Sequence, residues 1–178
     1  MRKALLFLGV LNDQELDWML SAGNRQLVPA GTSIIQEGKP IESLFVIIDG
    51  LMVASRTDIA GRRAMRSGEI LGEISFVDSR APAATVTAAE DSVVLAIPKA
   101  KLTEKIEQDV HFAARFYKAI AMFLSDRLRN HIGLPAYSAD AGLDEGRAYS
   151  DEIDPAVLDN LAIAGARFTW LQKRLRSL

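Results

Sequence analysis

The spacing of apolar residues along this chain changes three times, and each change marks a different kind of element. The first 21 residues follow a helical rhythm. Asn12 stands where a cap belongs, Glu15 three positions later completes a capping box, and Leu11 is placed to staple against Leu16 or Trp18. From Arg25 to Ile97 the rhythm gives way to short runs rich in Val and Ile. These are Leu27-Val28, Ile34-Ile35, Leu44–Ile48, Leu51–Ala54 and Val93–Ile97. Glycines at 31, 38, 50, 61, 68 and 72 separate the runs, where turns with positive φ are expected. Many short strands at this spacing predict a mainly β fold with flanking helices, an antiparallel double-stranded β-helix or jelly-roll-like roll over about residues 24–97.

Beyond Pro98, which suits the first position of a helix, the period is helical through Ile132. This helix carries two apolar stripes. One is Leu102, Ile106, Val110, Ala113, Tyr117, Ile120, Leu124 and Leu128; the other is Phe112, Phe116, Ala119 and Phe123. A helix apolar on two faces must bury both, and the second stripe predicts a covering helix from a partner chain, hence a homodimer. Residues 132–153 mix Gly, Pro, Ser, Asp and Ala without a period and read as an acidic linker. Asp154-Pro155 then opens an amphipathic helix over 154–178, with Val157, Leu161, Ala164, Phe168, Leu171 and Leu175 at alternating spacings of four and three. That seam has two open destinations, this chain's own roll or another molecule. The expected organisation is a domain over 1–131, the linker, and the terminal helix.

Composition narrows the chemistry. The 21 basic and 23 acidic side chains leave a net charge of −2, so the average field does not attract nucleic acid. The chain has no cysteine, which excludes disulfides and thiolate chemistry. His111 and His131 lie twenty residues apart on a helix, roughly 30 Å, and cannot share a metal. No Gly-x-x-x-x-Gly-Lys loop or nucleophile triad context is present, so the chain reads as a non-enzyme with no cofactor. Arg2 and Lys3 before Ala4–Val10 imitate a secretory signal, but the run is short and no cleavage site follows. No apolar run reaches the roughly 18 residues of a membrane span, and the cytoplasm is the expected compartment.

The most informative segment is Leu71-Gly72-Glu73-Ile74-Ser75-Phe76-Val77-Asp78-Ser79-Arg80-Ala81-Pro82-Ala83-Ala84-Thr85-Val86. It resembles the phosphate-binding cassette of the cyclic-nucleotide-binding domain family, the β-roll of catabolite activators and protein kinase A regulatory subunits. Gly31, the Glu37-Gly38 turn and Phe45-Val46-Ile47 leading to Gly50 extend the likeness over about residues 5–131. The resemblance implies a ligand site for cyclic AMP, cyclic GMP or a related small phosphorylated ligand, built from Gly72, Glu73, Ile74, Ser75, Arg80, Ala83 and Ala84. Glu73 matches the glutamate that accepts a bond from the ribose hydroxyl. Gly72 lets the backbone turn tightly, and a short helix beginning near Glu73 would aim N–H groups at an anion.

One departure is plain. Counting fifteen positions from Gly72 to Val86 places Pro82 where the family has its phosphate-clasping arginine. Two roles are open for Arg80: reaching the same phosphate, or pairing at the surface with Asp78 or Glu73. A lost charged hydrogen bond costs ~1.5–3 kcal/mol, roughly ten- to a hundred-fold in affinity. Two functions follow: a sensor that signals through its C-terminal helices to a protein partner, or a ligand-free assembly subunit with the roll as scaffold. Relatives that regulate transcription add a helix-turn-helix domain. The roughly 45 residues after Ile132 are too few for one, so DNA binding is not expected.

Overall fold

The structure is a computed structural model that describes residues 9–58, 61–131 and 155–176. It opens with helix α1 (Asp13–Ala22), capped as its sequence dictates. The Asn12 side chain accepts the Glu15 N–H at 2.9 Å, and the Glu15 carboxylate accepts the Asn12 N–H at 2.8 Å. Eight strands follow: β1 (Asn24–Val28), β2 (Ser33–Ile35), β3 (Ser43–Asp49), β4 (Leu51–Ser55), β5 (Arg62–Arg66), β6 (Ile70–Leu71), β7 (Thr85–Ala88) and β8 (Ser92–Pro98). Helix α2 (Glu73–Val77) sits between β6 and β7, while α3 (Lys99–Gln108), α4 (Val110–His131) and α5 (Pro155–Arg176) follow the roll.

The strands form two antiparallel four-stranded sheets, ordered β1-β8-β3-β6 and β2-β7-β4-β5. This is the roll the glycine-punctuated runs predict. Strand β3 shows how one run serves two cores. Phe45 and Ile47 join Met52, Met65, Leu71 and Val94 between the sheets. Leu44, Val46 and Ile48 point the other way, into a second core shared with the helices. Strand periodicity produces that division, because successive side chains take opposite faces. Sequence patterning gave no warning of β5. Its Arg-Arg-Ala-Met-Arg run has a single buried residue, Met65, and its charges suit an edge strand.

The β3–β8 ladder slips between Ile47 and Asp49, leaving Ile48 out of register. Its carbonyl instead accepts the Gln172 side-chain N–H from α5 at 2.8 Å. Arg167 fastens the same helix to α1, donating to Asp13 at 2.8 Å and to the Leu11 carbonyl at 2.6 Å. Ala164, Phe168, Leu171 and Leu175 are all buried in the helix-side core. The described part of the terminal seam, from Ala164 on, therefore lies against its own chain.

Three expectations need correction. Pro98 is not the first helical residue; it ends β8 and caps α3, which begins at Lys99. The helix expected through 132 is broken at Asp109, whose backbone is extended (φ −134°, ψ 94°). The Asp109 carboxylate accepts the Phe112 N–H at 2.9 Å, starting a new helix, and takes Lys105 on its other oxygen at 2.9 Å. Third, the phenylalanine stripe is not covered by a partner chain. Phe112, Phe116, Ala119 and Phe123 have no exposed surface, and they pack on α1, α5 and the sheet. The acidic linker expected over 132–153 and the signal-like Ala4–Leu8 lie outside the described residues. No described helix is long and apolar enough to cross a membrane.

Candidate functional site

Strand β6 pairs with β3 through Leu71 and delivers the chain to Gly72. Gly72 adopts φ +85°, and a Cβ here would meet Ile41 Cδ1 at 2.5 Å. The positive φ demands glycine, and any larger residue would also have to displace the Ile41 methyl. The helix expected near Glu73 is present as α2, whose first bond runs from the Phe76 N–H to the Gly72 carbonyl at 3.0 Å. The N–H groups of Glu73, Ile74 and Ser75 precede it and have no partner within the helix. Glu73 is 2% exposed and Ser75 is buried beside it. Ile74 turns its side chain to solvent, so only its backbone is available to a ligand.

A carboxylate this deeply buried requires a cation. Arg127 of α4 supplies it, donating through Nη1 to Glu73 Oε1 in an ion pair. Nη2 points at Met65 Sδ, 3.6 Å away, and the guanidinium lies 5.0 Å from the Phe123 ring centre. Burial holds the Arg127 guanidinium down at about 10; Arg63 pushes the same way and Glu69 opposes both. Arg127 was not among the residues singled out from sequence. The available signal was its place at the end of the phenylalanine stripe, where an arginine on a fully buried face needs an acid opposite.

The second half of the segment is held otherwise. Asp78 accepts the Arg80 N–H at 3.0 Å, and Ser79 sits at φ +58°. Arg80 is exposed, and its side chain forms no hydrogen bond or ion pair among the described residues. The Arg80 side chain pairs with neither Asp78 nor Glu73: Asp78 takes only its main-chain N–H, and Glu73 holds Arg127. Pro82 is buried and its carbonyl accepts the Gly38 N–H at 2.9 Å. Ala83 is exposed and Ala84 half-buried. The Thr85 hydroxyl accepts the Glu37 N–H at 3.1 Å. The Glu37-Gly38 turn, picked out as a family mark, thus ties down the far end of the cassette. Among the described residues no hydrogen bond or ion pair joins Gly72, Glu73 and Ser75 to Arg80, Ala83 or Ala84.

Residues 25–109 match the family model for the cyclic nucleotide-binding domain. The cyclic AMP receptor protein of Thermus thermophilus is 32% identical over 101 residues, covering 54% of this chain and 46% of that protein. An uncharacterized NTE family protein of Mycobacterium bovis is 26% identical over 114 residues, covering 64% of this chain. The chain spans only 20% of the length of that mycobacterial relative. The crystal structure of the Thermus thermophilus catabolite activator protein aligns with a TM-score of 0.58 at 30% identity, over 72% of this chain and 60% of that one. By sequence and by fold, the roll of this chain belongs to the cyclic nucleotide-binding domain family.

Proposed function

We propose that the chain is a regulatory module that takes a cyclic nucleotide, or a related phosphorylated ligand, at residues 72–84 and signals through α3, α4 and α5. The observation that carries this reading is the double position of Glu73. It stands where the family reads the ribose, and it is also the group that holds Arg127 of α4. A ligand hydroxyl arriving at Glu73 competes with the helix for one carboxylate, so binding and helix position are linked. Titration with cyclic AMP and cyclic GMP, read by calorimetry and by melting temperature, tests it. A saturable rise in melting temperature supports the sensor. No response at millimolar ligand leaves the ligand-free scaffold, a reading favoured by Pro82 and by the occupied Glu73.

The module acts as a homodimer through the outer face of α4. Val110, Ala114, Tyr117, Ala121, Leu124 and Leu128 alternate by four and three on the side opposite the phenylalanines. Val110, Tyr117 and Leu128 are 76%, 45% and 60% exposed. In a parallel pairing Ala113 would face Lys118 and Ile120 would face Ser125, so no like charges meet. Tyr117→Glu with Leu128→Glu should turn a dimer into a monomer in sedimentation; a monomeric wild-type chain removes this part.

A further inference from the structure

We infer that Glu69 is a second anchor for Arg127: when Glu73 is taken, the guanidinium passes to Glu69 and stays buried instead of being expelled. The inference rests on the ligand reading above for its trigger, but not for its geometry.

Two buried carboxylates flank strand β6, one of them already paired with Arg127. Glu73 follows β6 and Glu69 precedes it, and both are buried, at 2% and 7% exposure. Arg127 reaches the inner side of β5, where Nη2 meets Met65. Arg63 shares that side of β5, since residues two apart on a strand point the same way. Glu69 lies against Arg63, its Oε2 3.6 Å from Nη2, too far for a hydrogen bond. Its Oε1 has only the Arg66 N–H at 3.4 Å.

The hydrogen bonds of this cluster do not close. Among the described residues, two side-chain atoms are shut from water without a hydrogen-bond partner: Glu69 Oε2 and Arg127 Nε. One is an acceptor and the other a donor. Native interiors rarely leave such groups unmade, and each is costly while it lasts. Joining them would satisfy both at once. The price is the Glu73 contact, which a ligand hydroxyl would replace. The cluster thus holds one arginine and two possible seats for it, and that is the bistable arrangement a switch requires. Arg63 already lies against Glu69, 3.6 Å away, so this seat is second choice while Glu73 is free. Glu69 is a positioning residue here and touches no ligand.

The test uses the full chain and the Nε–H resonance of Arg127 in arginine-selective NMR, assigned with Arg127→Lys. In ligand-free Glu73→Gln the resonance should move downfield as a charged hydrogen bond to Glu69 forms. It should return in Glu69→Gln/Glu73→Gln. Urea unfolding gives a second readout. Each single variant keeps one seat, whereas the double strands a buried cation, so its loss in folding constant should exceed the product of the singles by about tenfold or more. An unmoved resonance in Glu73→Gln, or losses that simply multiply, overturns the inference; if the double variant does not fold, the single variant's spectrum decides. Cyclic AMP added to wild type separates the two proposals. No binding, with the Glu73→Gln shift intact, sinks the ligand reading and keeps the second anchor. Binding that leaves the resonance unmoved overturns the switch.

Discussion

The two halves of the cassette occupy one stretch of sequence, yet different forces hold them. In the stretch from Gly72 to Ser75, Glu73 and Ser75 are buried, the glycine is forced by its positive φ, and the Glu73 charge is matched by Arg127, 54 residues along the chain. From Asp78 to Ala84 the chain is mostly at the surface, pinned by the Gly38 N–H on the Pro82 carbonyl and by the Arg80 N–H on the Asp78 carboxylate. The first half is bound into the core; the second is a turn on a tether. A protein that abandoned ligand binding could let either drift. Here the half that matches the family's ribose-reading stretch keeps its glycine and glutamate, and the other half has Pro82 where the family carries an arginine.

Three substitutions probe this contrast, in descending order of effect, with Ala83 as the control for the first. Gly72→Val strains the backbone and drives a side chain into Ile41; urea unfolding should show a loss of about 3 kcal/mol. The same test on Ala83 should show almost none, because that side chain is exposed. Pro82→Arg restores a cation to the tethered half, and calorimetry should show cyclic AMP affinity rising ~10- to 100-fold. An unchanged affinity would mean that the turn cannot present a cation at that position. Arg80→Ala should weaken binding by less than tenfold with an unaltered melting temperature; a loss of all binding would make Arg80 the replacement clasp.

The smallest effect serves as a control away from both halves. At Asp109, which starts α4, the Lys105 ammonium and the Phe112 N–H hold the carboxyl down at about 2. A depressed carboxylate stabilises the fold above its unfolded value of 3.8 and loses that stabilisation as pH falls toward 2. Asp109→Asn should flatten the acid limb of stability between those values and leave ligand affinity alone.

The roll was legible because its signals are local. Glycines at required positive φ and runs such as Leu44–Ile48 declare strands without reference to distant residues. The site was half legible. Gly72 and Glu73 carry their meaning in the adjacent pattern, but the partner of Glu73 does not. Arg127 looks like one more cation on a polar helix until the phenylalanine stripe is seen to be wholly inside. The error about that stripe has the same source. Period shows that a face must be covered, and only tertiary packing shows that α1, α5 and the sheet cover it. Strand β5 was missed because an edge strand of arginines has almost no apolar signature.

The displaced Ile48 carbonyl has a consequence for where this protein can be cut. Gln172 fills a gap in the ladder of β3, and Phe168 and Leu171 roof the same core as Phe116 and Phe123. The stretch that matches the family model, residues 25–109, therefore leaves out helices that close its helix-side core. A fragment ending at 109 would carry the whole recognition pattern and still lie open along one flank of its sheet.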